Sequence, residues 1–195
     1  MLQLPPLGRK LTRPPLAVGQ KVVAMRHSQL QAWKHGSIEE AQDPGDADQR
    51  LYRVKFVPEG GRKVAQLKVL KVQHVAYSSV SSARLEVGTR CVGLFREHPD
   101  QPGQFYSGVV AEPPKPTNRL DSQSRLNVSI RSHLLSSHNR NRYLVFFDDG
   151  YASYVQHAEL RLVCWQATNV WEDVHADSRE FIRNYLAQVC CVLCR

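Results

Sequence analysis

The sequence predicts an all-β protein, two small antiparallel barrels in tandem followed by one amphipathic helix. A weak internal repeat gives the two units, with a period of roughly 70 residues once an insertion at 117–141 is set aside. Short stretches of alternating polarity, broken by Gly, Asp and Pro, give the strands. The run Tyr143 to Val155 gives the clearest hairpin, because Asp-Gly stands between two β-rich segments.

The first copy opens with Val18-Gly19-Gln20-Lys21-Val22-Val23-Ala24 and the second with Val87-Gly88-Thr89-Arg90-Cys91-Val92-Gly93. A second strand follows in each, Trp33 to Ile38 and Phe105 to Val110. The third strands are Tyr52-Arg53-Val54-Lys55-Phe56 and Tyr143-Leu144-Val145-Phe146-Phe147. Closing strands are expected at Val64 to Val72 in the first copy, and at Tyr151 to Val155 with Glu159 to Val163 in the second. Closure into a barrel removes the exposed edges of a flat sheet. Each copy is near the lower size limit for independent folding, so the two are expected to lean on each other across Ser78 to Arg84.

The expected organisation is a flexible segment at 1–15, a barrel at 16–77, a second barrel at 84–165 interrupted by the insertion at 117–141, a linking helix at 168–189 and an atypical tail at 190–195. Residues 1–15 carry Pro5, Pro6, Pro14 and Pro15 among Arg9, Lys10 and Arg13, without the apolar core of a signal peptide. The insertion is preceded by Pro113, Pro114 and Pro116 and is rich in Ser, Arg and Asn, where a short turn would suffice. In the helix, Asp177 and Glu180 have capping-box spacing, and Phe181, Ile182, Tyr185, Leu186 and Val189 recur on one face.

The 195 residues are 42% hydrophobic and 23% charged, an ordinary globular composition, with a formal net charge of +8. That charge is compatible with chromatin, nucleic acid or an acidic protein surface, but Lys and Arg are scattered, and a solvated basic surface explains them equally well. No apolar run approaches the roughly 20 residues that span a bilayer. The five cysteines, an odd set loaded toward the C-terminus, point to a reducing compartment. Cys190-Cys191-x-x-Cys194 is half a metal site without partners, and the eight histidines show no ligand spacing. There is no phosphate-binding glycine loop, nucleophile elbow or HExxH.

The chemistry gathers at Phe147-Asp148-Asp149-Gly150-Tyr151. Aromatic rings beside a carboxylate suit an alkylated ammonium, drawn to the ring faces by cation–π attraction and to the carboxylate by charge. An all-aromatic pocket would also accept a flat, neutral acetyl-lysine. These residues point to a binding module for modified lysine. Strand alternation puts Phe146 on the face opposite Phe147, in the barrel core, and Asp148 reads as a turn residue.

Val87-Gly88, Phe105-Tyr106-Ser107-Gly108-Val109 and Phe147-Asp148-Asp149-Gly150-Tyr151 resemble the Tudor domain, a five-stranded barrel that reads methylated lysine or arginine. His74-Val75-Ala76-Tyr77, Phe146 to Val155, Trp171-Glu172-Asp173-Val174 and Arg179-Glu180-Phe181-Ile182 narrow the likeness. They resemble the Tudor region of the SET-domain bifurcated histone-lysine N-methyltransferases, which act on lysine 9 of histone H3. The likeness spans residues 18–112 and 142–188. It implies a nuclear, chromatin-associated protein that partners the histone H3 tail and silencing-complex proteins. In that family three Tudor modules precede a methyl-CpG-binding domain and a split SET domain. The chain is therefore read as a fragment, inert on its own and without a cofactor, although the full-length family uses S-adenosylmethionine and zinc.

By the Tudor pattern, the second barrel's pocket uses Phe95 and Tyr106 from its first two strands, and Phe147, Asp149 and Tyr151 from the turn. The matching first-barrel positions, Arg26, Lys34, Phe56 and Pro58, cannot cage a methylammonium, and Trp33 there reads as a barrel or interface residue. The competing expectation is a nucleic-acid-binding or scaffold barrel with no recognition of lysine marks.

Overall fold

In the computed structural model, residues 9, 11, 13–58, 60, 64–98, 100–114, 142–166 and 179–180 are described. They form two five-stranded antiparallel sheets, the all-β architecture expected. The first contains β1 (Lys21–Ala24), β2 (Lys34–Gln42), β3 (Leu51–Phe56), β4 (Leu67–Lys71) and β5 (Val75–Tyr77) in the order β4-β3-β2-β1-β5. The second contains β6 (Arg90–Phe95), β7 (Gln104–Glu112), β8 (Arg142–Phe147), β9 (Ala152–Gln156) and β10 (Leu160–Leu162) in the order β10-β6-β7-β8-β9.

The two units repeat each other in detail. Register shifts fall between Ile38 and Glu40 on β2 and between Val110 and Glu112 on β7, so each long second strand bends at the same place. Gly36 lies opposite Phe56, and Gly108 opposite Phe147. The Tyr52 hydroxyl accepts the Leu16 N–H at 3.2 Å, and the Tyr143 hydroxyl accepts the Leu85 N–H at 3.3 Å. In both, a 3-10 turn (Val72–His74 or His157–Glu159) leads into the last short strand.

Four expectations change. Val75–Tyr77, within the first barrel's expected bounds but beyond its expected closing strand, form the strand β5, which pairs with β1. All three of its residues are buried, so it lacks the alternation that marks a strand in sequence. Residues 13–15 are not a free lead-in. The Arg13 guanidinium lies 4.0 Å from the centre of the Tyr77 ring and donates to Ser79 Oγ at 2.8 Å, while the Tyr77 hydroxyl donates to the Pro14 carbonyl at 2.8 Å. Phe146 is buried, but on the outer face of its sheet rather than among the residues of the barrel core. The linking helix is not borne out: only Arg179 and Glu180 of 168–189 are described, and two residues with helical backbone do not establish it. The insertion at 117–141 and the tail at 190–195 lie outside the described residues.

The barrels meet through their sheet faces. Trp33 forms a bridge with Phe105, its N–H donating to the Phe105 carbonyl at 2.7 Å, and Ala76 bridges Val163. Val23, Trp33, Ala76, Val92, Phe105 and Val163 make a buried apolar seam between the two units. Neither sheet buries that face alone, which makes the pair a mutually supporting fold.

Candidate functional site

The second barrel's site grows from β6, β7 and the hairpin that joins β8 to β9. Gly93 pairs with Tyr106, and Phe95 stands two residues further along the face of Gly93, so Phe95 and Tyr106 are diagonal neighbours. Phe147 comes in from β8 opposite Gly108. A Cβ on Gly93 would lie 3.1 Å from the Phe147 ring, so the glycine leaves that ring its room.

The structure brings three of the expected residues together. Phe95 stands edge-on to Tyr106, with ring centroids 6.3 Å apart at 82°, and to Phe147, at 6.2 Å and 69°. Such tilted pairs match the quadrupole preference of aromatic rings. Phe95 is 36% exposed, Tyr106 is half-buried, and Phe147 is only 2% exposed and packs in the barrel core. The cluster is therefore a shallow aromatic corner whose floor is Phe147.

The other two expected residues stay at the turn. Gly150 N–H donates to the Phe147 carbonyl at 3.1 Å, and Phe147 N–H to the Tyr151 carbonyl at 2.8 Å. With Gly150 at φ 92°, this is a turn closed by a left-handed glycine. Asp149 turns back to accept the Tyr151 N–H at 3.2 Å, and Tyr151 is 66% exposed, outside the ring cluster.

Asp148 is more than a turn residue. It is 1% exposed, and its carboxylate receives Arg90 Nη1 at 2.6 Å, Arg90 Nη2 at 2.5 Å, Ser107 Oγ at 2.6 Å and Gln29 Nε2 at 2.7 Å. Burial alone would raise its pKa. The Arg90 charge, aided by the hydrogen bonds, outweighs burial and holds the carboxyl below its ordinary range. Gln29 belongs to the β1–β2 loop, so this carboxylate also ties the first barrel to the root of the turn. The equivalent positions of the first barrel are Val57, His35 and Lys21, so the repeat carries no signal of this cluster. Among the described residues, no three His, Cys, Asp or Glu side chains are grouped to hold a metal ion.

Residues 132–159, on the second unit, match the family model described as histone methyltransferase Tudor domain 1. The chain is 32% identical to histone-lysine N-methyltransferase eggless of Drosophila pseudoobscura pseudoobscura over 194 residues, 94% of this chain and 14% of that protein. It is 30% identical to the eggless of Drosophila melanogaster over 195 residues, again 94% of this chain and 14% of the relative. The chain resembles the Tudor region of eggless-type histone-lysine N-methyltransferases. It spans about a seventh of the length of these curated relatives (14%).

Among the described residues of the two barrels the aromatic corner occurs once. In the first barrel, Lys34 pairs with Ala24 where Tyr106 pairs with Gly93 in the second. Arg26, matching Phe95, is 9% exposed and donates from Nε to Gln66 Oε1 at 2.7 Å. Of the four matching positions only Phe56 carries an aromatic ring, and it is 1% exposed.

Proposed function

We propose that this Tudor region is a chromatin reader whose second barrel receives a modified lysine of the histone H3 tail. Phe95, Tyr106 and Phe147 form the apolar surface for the lysine's alkyl or acyl end, with Asp149 and Tyr151 at its mouth. The observation that carries this reading is the position of Phe95, edge-on to two other rings and still 36% exposed. An accessible aromatic corner beside an acidic turn suits a cation that has lost part of its hydration to methyl groups. A nuclear location, silencing-complex partners and association with methylation of histone H3 lysine 9 follow as parts of the same proposal. In the resembled family, catalysis and its S-adenosylmethionine belong to a SET domain and not to the Tudor modules.

The test is a titration of acetylated, methylated and unmodified H3-tail peptides against the chain and its Tyr106→Ala variant. Binding should depend on the modification and weaken in the variant. Equal binding of all peptides would sink the proposal. Affinity for single-stranded nucleic acid that falls steeply with salt, without any response to modified peptides, would assign the barrel to nucleic acid instead.

A further inference from the structure

The duplicated fold allows the two barrels to be compared position by position, and one surface differs sharply. In the second barrel, Arg90, Val109 and Phe146 lie side by side across β6, β7 and β8. Val109 is 0% and Phe146 1% exposed, and the Arg90 charge is met by buried Asp148. The same row in the first barrel is Lys21, Ser37 and Lys55, across β1, β2 and β3. Here both lysines are exposed.

The place of Asp148 is taken by Val57. The backbone correspondence is direct: Asp148 N–H donates to the Ser107 carbonyl at 3.0 Å, and Val57 N–H to the His35 carbonyl at 3.0 Å. Lys21 thus occupies the position of Arg90 without the carboxylate that Arg90 has. Neither Lys21 nor Lys55 has an ion pair among the described residues. A second difference follows. In the second barrel the Gln29 loop fills this corner, its carbonyl 3.0 Å from Ser107 Oγ and its amide on Asp148. In the first barrel the corner is an open groove of about 670 Å³ with Lys21, His35, Lys55, Phe56, Val57 and Pro58 among its walls.

We infer that this groove on the first barrel docks an acidic, partly apolar peptide segment of a partner protein. Its carboxylate takes the place that Asp148 holds in the second barrel and pairs with Lys21. An apolar side chain beside it covers Val57, which is 56% exposed, and Lys55 meets a second acidic group or a chain carbonyl. The complementarity is chemical: two exposed cations flank an apolar floor, and the related surface shows what fills such a corner when it is occupied. A nucleic acid fits less well. Two lysines are few for a phosphate track, and the ring of His35 is already edge-on to Phe105 at 5.7 Å.

The test is selection of a phage-displayed library of random dodecapeptides on the 195-residue chain, with counter-selection on its Val57→Asp variant. That variant supplies the missing carboxylate at an exposed position while leaving both lysines and the second barrel's aromatic corner intact. Enriched peptides should carry Asp or Glu next to an apolar residue. As free peptides they should bind about tenfold more weakly to Val57→Asp, to Lys21→Glu, and when their own acid is replaced by its amide. Thermal unfolding checks that both variants fold. Failure to enrich acidic peptides, or equal binding to the Val57→Asp variant, overturns the inference. So does an oligothymidine that binds the chain and is lost with Lys21→Glu, which would make the groove a nucleic-acid surface.

Discussion

Arg90 and Asp148 face each other fork to fork beneath the hairpin turn, with Nη1 2.6 Å from Oδ1 and Nη2 2.5 Å from Oδ2. The side chains are 11% and 1% exposed, so little solvent screens the pair. Removing one partner leaves the other charged, buried and unpaired, which destabilises a fold by about 3–5 kcal/mol. Asp148→Ala and Arg90→Ala should each lower stability by that order in urea unfolding. The double substitution should cost less than the sum of the two. Strict additivity would mean that the pair does not act as a unit.

The same pair sets an acid response. The Asp148 carboxyl is held below its ordinary value of 3.8 because the Arg90 charge and the hydrogen bonds outweigh the effect of burial. A carboxylate with a depressed folded-state pKa stabilises the fold above its unfolded pKa, and that contribution is lost as pH falls through the folded value. Unfolding midpoints measured from about pH 5 down to about pH 2 should fall more steeply for the native sequence than for Asp148→Asn. Parallel curves would remove Asp148 from the account of acid sensitivity.

The duplication can be tested through its two close approaches. A Cβ on Gly36 would lie 2.8 Å from the Lys55 carbonyl oxygen, and one on Gly108 would lie 2.6 Å from that of Phe146. Both obstacles are backbone and cannot swing aside. Gly36→Ala and Gly108→Ala should each destabilise by about 1–3 kcal/mol through overpacking, in a similar way in either barrel. Calorimetry of the two variants checks this. A neutral outcome at either position would show that its strand pair can separate without loss.

The strands and the Asp-Gly hairpin were legible because alternation and turn chemistry are local. Phe95 and Tyr106 were expected from the resemblance to the Tudor pattern, not from the repeat, whose matching positions are Arg26 and Lys34. The role of Asp148 was not legible, since an acid beside a turn has an ordinary local explanation. Its partners lie 41, 58 and 119 residues away in Ser107, Arg90 and Gln29. The sheet faces that join the barrels were also hidden. An apolar residue such as Val23 or Val163 reads as core of its own unit until the neighbouring unit is in place.

The aromatic corner separates binding from folding by the exposure of its members. Phe147 is 2% exposed, so Phe147→Ala should destabilise the barrel by about 3–5 kcal/mol and would lose peptide binding for that reason alone. Phe95 is 36% exposed and supports less of the core. Phe95→Ala should therefore leave the unfolding midpoint nearly unchanged while weakening a modified H3-tail peptide about tenfold, the size expected from losing one ring over a cation. Phe95→Tyr, which keeps a ring in place, should retain most of the affinity. Paired measurements of thermal unfolding and peptide anisotropy on these variants decide the matter. If Phe95→Ala binds as the native sequence does, the exposed ring is surface packing and the reader site must be sought elsewhere.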